Sequence, residues 1–126
     1  MIEPVRVFSG FAVDDVAAAK AFYADTLGIG VTEEMGGLLL DLGDDHSVFV
    51  YPKPNHEPAG YTILNFAVAD IDAAVADLEA SGVRMLRYEG FPQDEHGIQR
   101  PPAGQGPNIA WFTDPAGNIL SVLSDS

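Results

Sequence analysis

The chain has 126 residues, which fits one domain with a core of its own. Hydrophobic residues make up 47% and charged residues 20%, a globular mix that excludes a disordered chain. The net charge of −13, with only six basic residues, opposes binding to phosphate backbones and anionic membranes, and the lack of cysteine removes disulfides, thiolate metal sites and a cysteine nucleophile.

Met1-Ile2-Glu3-Pro4 has no positive region followed by an apolar run, and no apolar stretch approaches the roughly 20 residues that span a bilayer. A soluble, cytoplasmic protein is expected, with no nucleic acid and no membrane as partner. The first strand is expected to end at Val13. Val7, Ser9, Phe11 and Val13 share one face, and Phe8, Gly10 and Ala12 share the other. Asp15 is placed to cap a helix whose buried stripe is Val16, Ala19, Phe22, Tyr23, Thr26 and Leu27, and Gly28 ends it. Strands are expected at 29–34, 37–42 and 46–51, joined by hairpin-type turns at Met35-Gly36-Gly37 and Gly43-Asp44-Asp45. A proline-bearing linker covers 52–60.

The chain then repeats itself. Gly-Phe-Ala-Val-Asp-Asp-Val at 10–16 returns as Asn-Phe-Ala-Val-Ala-Asp-Ile at 65–71, an offset of 55 residues. Asp70 takes the capping role, Ile71, Ala74, Val75 and Leu78 form the stripe, and Gly82 closes the helix. Strands are expected at 83–88, 108–112 and 118–123, the last two joined by the turn Asp114-Pro115-Ala116-Gly117. Residues 89–107, rich in Gly, Pro and Gln, form a long insertion of a length that is often functional. The order β-α-β-β-β is thus written twice, in modules of about 1–53 and 60–126. The expected fold is α+β. It is one domain in which the modules pair into a curved, mixed eight-stranded sheet, with both helices on the outer face and a concave cup within. An open cup suits a ligand and needs a cover, so a homodimer is expected.

The stretch Val-Asp-Asp-Val…Phe-Tyr-Ala-Asp-Thr-Leu-Gly at 13–28, the run Trp-Phe-Thr-Asp-Pro-Ala-Gly-Asn at 111–118 and the paired modules together resemble the vicinal oxygen chelate superfamily of glyoxalases, bleomycin-resistance proteins and extradiol dioxygenases. The resemblance runs over nearly the whole chain. It implies the paired-module fold but no single function, because the scaffold hosts isomerases, dioxygenases, hydrolases and drug-sequestering proteins. Metal-dependent members carry a His or Glu ligand on the first and last strands of each module. Carried onto this chain, those positions fall at Phe8, near Val50, at Ile63 and at Ser121, and a slip of one residue does no better. The resemblance therefore implies no metal and no cofactor at the usual place. A metal-dependent lyase, isomerase or dioxygenase would need ligands from elsewhere, such as His46 or His96 with acidic neighbours.

Phe8, Val50, Ile63 and Trp111, with Asn65 and Ser121 as sparse polar groups, are the expected lining of a small-molecule site. The same side chains could instead fill the cup as closed core, leaving a protein used only as an assembly or regulatory partner. His46 is read as a turn residue and His56 as an exposed linker residue. His96 follows Gln93-Asp94-Glu95 in the long insertion and precedes Arg100. The pair could act as acid or base and as carboxylate clamp, or could be a solvated charged loop. The expected function is small-molecule binding without the usual metal ligands.

Overall fold

Asp15 and Asp70, the two capping residues expected from the repeat, open the two helices of the computed structural model, which describes residues 1–125. The chain divides into two compact units, residues 1–57 and the remainder from Pro58.

In the first unit, strand β1 (Ser9–Val13) leads into helix α1 (Val16–Ala21). The Asp15 carboxylate accepts a hydrogen bond from the Ala18 amide at 3.0 Å, satisfying a donor that the helix start leaves free. The helix does not run on as an α-helix to Leu27. Residues 22–26 widen into a π-helical turn, closed by the Leu27 amide on the Phe22 carbonyl. The wider turn seats Tyr23, fully buried, against Phe11 of β1 at 5.9 Å between ring centroids. Strands β2 (Gly30–Glu34), β3 (Gly37–Asp41) and β4 (Ser47–Pro52) complete a four-stranded sheet in the order β1-β4-β3-β2. Met35 and Gly36 both have positive φ, as a two-residue hairpin turn of mirror-image type requires. Val13, Leu38, Leu40, Val48 and Val50 are buried in this unit's core.

The second unit repeats the plan with one strand fewer. It holds β5 (Thr62–Ala67), α2 (Ile71–Ala80), β6 (Asn108–Thr113) and β7 (Ile119–Ser124), with the sheet order β5-β7-β6. Asp70 caps α2 through the Ala73 amide at 3.1 Å. A ten-residue helix is too short to stand alone in water, and α2 is held by the burial of Ile71, Val75 and Leu78. Asp114 is buried within the β6–β7 turn, where its carboxylate accepts from the Ala116 and Asn118 amides and from the Asn118 side chain.

The α+β class and the repeated order stand, but the strand expected at 83–88 does not form. Among the described residues, seven strands lie in sheets of four and three. The outer edge of β6 shows why. Leu86 donates to the Trp111 carbonyl, but Gln99 takes both backbone groups of Ile109, so no continuous partner strand fits there. Gln93 satisfies the backbone that a neighbouring strand would have paired. Its side-chain oxygen accepts from the Tyr88 amide, and its nitrogen donates to the carbonyls of Leu86 and Gly97. No helix among the described residues is long and apolar enough to cross a membrane.

Candidate functional site

Register decides which side chains share a face. In the second unit Asn65 pairs with Ser121, and Ser121 with Trp111, so these three form one row across all three strands. The neighbouring rows Leu64–Leu120–Phe112 and Phe66–Val122–Ala110 point the other way and supply the buried apolar face that α2 needs. The Asn65 row is therefore on the face away from the helix. There the Ser121 hydroxyl donates to Asn65 Oδ1 at 2.6 Å. Trp111 meets Tyr88 edge-on, with centroids 5.4 Å apart, and Phe91 lies 6.0 Å away. The sheet supplies the tryptophan, and the irregular segment after α2 supplies the other two rings. Tyr88 and Trp111 are half-buried, and Phe91 is 50% exposed, so the cluster is not closed core. Sequence reasoning placed Asn65, Trp111 and Ser121 as lining but missed Phe91, which lies in an insertion without periodicity, and did not place Tyr88 beside Trp111.

Ile63 holds an unusual position. The β5–β7 register steps from Thr62–Ile119 to Leu64–Leu120, so Ile63 is the extra residue of a bulge with no direct partner. Phe8 lies outside β1, is 48% exposed, and carries the Arg6 guanidinium 4.5 Å from its ring centroid. Val50 is placed differently from the expectation. It pairs with Phe11, which touches Tyr23, and is fully buried on the helix side. The residue matching Ser121 by register is Phe49, since Gly10 pairs with Phe49 as Asn65 pairs with Ser121. Phe49 stacks on Tyr51 at 6.3 Å and 18°. The turns before β4 (42–46) and before β7 (114–118) are equal in length, so counting on from the turn also leads to Phe49.

His96 and Arg100 are not with the aromatic cluster. They bind the long insertion to α2. Arg100 meets Asp72 at 2.5 Å and Asp94 at 3.2 Å, and His96 Nδ1 lies 3.2 Å from Glu79. The Asp94 carboxylate also accepts from the His96 and Ile98 amides, and Arg87 donates to the Asp94 and Glu95 carbonyls. Burial alone would raise the Asp94 pKa, but the two amides and the Arg100 guanidinium together hold it below the ordinary carboxylate value. The hydrogen bonds that Arg100 donates to Asp72 and then to Asp94 raise its pKa above its ordinary value. Arg100 is thus already paired with carboxylates of its own chain. His46 sits in a turn, its amide on the Gly43 carbonyl. His56 was expected to be exposed but is half-buried, with Nε2 buried and without a hydrogen-bond partner among the described residues.

At the positions that the resemblance marks for metal ligands, the structure places Phe8, Phe49, Ile63 and Ser121. Three offer no donor atom, and the fourth is a neutral hydroxyl engaged with Asn65. This set does not fit a divalent ion. Among the described residues, no group of three or more His, Asp or Glu side chains comes together to hold one.

The fold and motifs define the class: the chain belongs to the Glyoxalase/Bleomycin resistance protein/Dioxygenase superfamily, whose family model matches residues 6–122. Among particular relatives, it is 33% identical over 106 residues to the uncharacterized protein YaeR of Escherichia coli K12, covering 71% of this chain and 82% of that one. It is similar in structure to TnmS3, an antibiotic binding protein from Streptomyces sp. CB03234, with a TM-score of 0.63 and 24% identity over 97% of this chain and 98% of that one. It also resembles the fosfomycin resistance protein FosX of Listeria monocytogenes, with a TM-score of 0.71 and 14% identity over 100% of this chain and 96% of that one.

Proposed function

We propose that this protein binds a small molecule without a metal of its own, and that the ligand seats on the open face of the second unit. The carrying observation is the half-exposed cluster of Trp111, Tyr88 and Phe91 beside the Asn65–Ser121 pair. Such a surface offers apolar area with few polar groups, as ligand sites do. The likeness to an antibiotic binding protein points the same way. The finer architecture expected from the sequence belongs to this proposal: one domain with its modules joined in a single curved sheet, acting as a cytoplasmic homodimer. Ile63, on the same unit, is then further lining.

Trp111 is the only tryptophan, so its emission reports on the site directly. Planar antibiotics that raise the melting temperature should also change Trp111 emission, and Trp111→Ala should remove the stabilisation. Stabilisation with no change in emission would locate the ligand elsewhere. One Ni, Zn or Fe per chain in protein purified without chelators would overturn the metal-free reading.

A further inference from the structure

Each hydrogen-bonding side chain on this face can offer a donor. The Asn65 amide can offer an oxygen or an NH2, and its oxygen is taken by Ser121, which is fully buried beneath it. The NH2 is thereby turned outward on an exposed residue, with no partner among the described residues. The indole N–H of Trp111 and the Tyr88 hydroxyl likewise have no protein partner among the described residues, and neither is a buried unpaired atom. The rows flanking Asn65–Ser121–Trp111 on the same face are Thr62–Ile119–Thr113 and Ala67–Leu123–Ile109. They contain no charged side chain. These strand rows therefore combine with the aromatic cluster to offer free donors and carry no carboxylate of their own.

We propose that the site selects an uncharged planar ligand carrying a carbonyl acceptor, and that the outward NH2 of Asn65 is the group that selects it. This rests on the proposal that the face is a binding site at all. A flat ring without an acceptor would cover the Asn65 NH2 and leave it desolvated and unpaired. A ring carbonyl keeps that donor satisfied, and the difference is all discrimination. The chain's net charge of −13 would draw cations at long range, but that field is screened within about a Debye length, and contact chemistry at the face is set by donors.

Two rings of the same shape test it: 9-fluorenone and fluorene, which differ by a carbonyl for a methylene, with the planar cation proflavine as the third probe. Binding is followed by Trp111 emission and by melting temperature. Fluorenone should bind about tenfold more tightly than fluorene, the preference one such hydrogen bond supplies. The decisive variant is Asn65→Asp. It keeps an oxygen acceptor for the Ser121 hydroxyl, so the fold is undisturbed, but it exchanges the outward donor for an acceptor. It should abolish the fluorenone preference, so that the ratio of the two affinities falls to about one. Equal binding of the two rings to the wild type, or a preference for proflavine, overturns the acceptor selection while leaving the binding site in place. A fluorenone preference that survives in Asn65→Asp overturns the role of Asn65. If none of the three probes changes Trp111 emission or the melting temperature, the binding reading itself falls, and this proposal with it.

Discussion

Single atoms already fix some positions of this fold. A β-carbon built on Gly37 would stand 2.2 Å from the Val50 carbonyl oxygen and 3.2 Å from the Phe49 ring. Backbone and a packed ring stand in the way, so neither can swing aside cheaply. Gly37→Ala should therefore destabilise the protein by about 1–3 kcal/mol, the usual cost of forcing extra volume into packed structure. Gly60→Ala is the matched control, because a β-carbon there meets nothing within 4 Å and φ is not positive. It should stay within about 0.5 kcal/mol of the wild type in urea unfolding. A Gly37→Ala protein as stable as the Gly60→Ala protein would mean that β3 can shift away from β4. The caps are a second test at this scale. Asp15→Ala and Asp70→Ala should each cost about 1 kcal/mol, because each removes the oxygen that accepts a first-turn amide. These roles were legible in the sequence, since a cap is local and a repeated Asp before a repeated stripe has few other uses. The role of Gly37 was not, because it depends on a partner strand thirteen residues away.

The segment 83–100 shows what sequence patterning leaves out at the scale of an element. Val83 to Tyr88 read as a strand by composition. The strand fails because Gln93, Gln99 and Trp111 satisfy its backbone or occupy the sheet edge in its place. Individual side-chain and backbone bonds made that choice, and no periodicity announces them. The same holds for His96 and Arg100, whose proximity in sequence suggested a polar site. Their partners Glu79 and Asp72 lie on α2, and the result is a clamp that holds the insertion to the helix. Asp94 sits at its centre, and its pKa direction gives a test. A carboxyl held below its ordinary value contributes stability that is present above about pH 4 and lost as pH falls through the depressed value. The His96 and Ile98 amides donate to that carboxylate, so their NMR shifts should titrate with a midpoint below about 4. Asp94→Asn should remove that titration. Arg100→Ala should move the midpoint up toward the ordinary value while costing less than about 1 kcal/mol of global stability, as exposed ion pairs do. A wild-type midpoint at or above the ordinary carboxylate value would show that the amides and Arg100 do not hold the carboxylate.

For the whole molecule, the question is whether a metal belongs to it, and here the repeat carried the reading unevenly. An offset of 55 residues relates Phe11 to Phe66, and it places Phe8 and Ile63 at matching points. The last strands of the two units are not related by that offset, because the insertion lies between them. Their correspondence comes from pairing with the first strands and from the matching hairpins, which substitutes Phe49 for Val50. Either residue is a hydrocarbon, so the correction changes the lining of the face without changing its coordination chemistry. The energetic consequence is measurable on the intact protein. A metal bound only by the folded state, at a hundredfold excess over its Kd, would stabilise that state by about 2.7 kcal/mol. In a domain of this size that is a rise of roughly 10 °C in melting temperature. With Phe8, Phe49, Ile63 and Ser121 at the marked positions, Ni, Zn, Mn and Fe(II) should each leave the melting temperature unchanged, and EDTA should not lower it. A saturable rise with one of these ions, accompanied by one ion per chain after desalting, would mean that other side chains assemble a site, with His46 and His96 the first histidines to replace. Those two substitutions separate the cases: a rise that survives both points to His56 or to carboxylates, and a rise lost in one identifies a ligand.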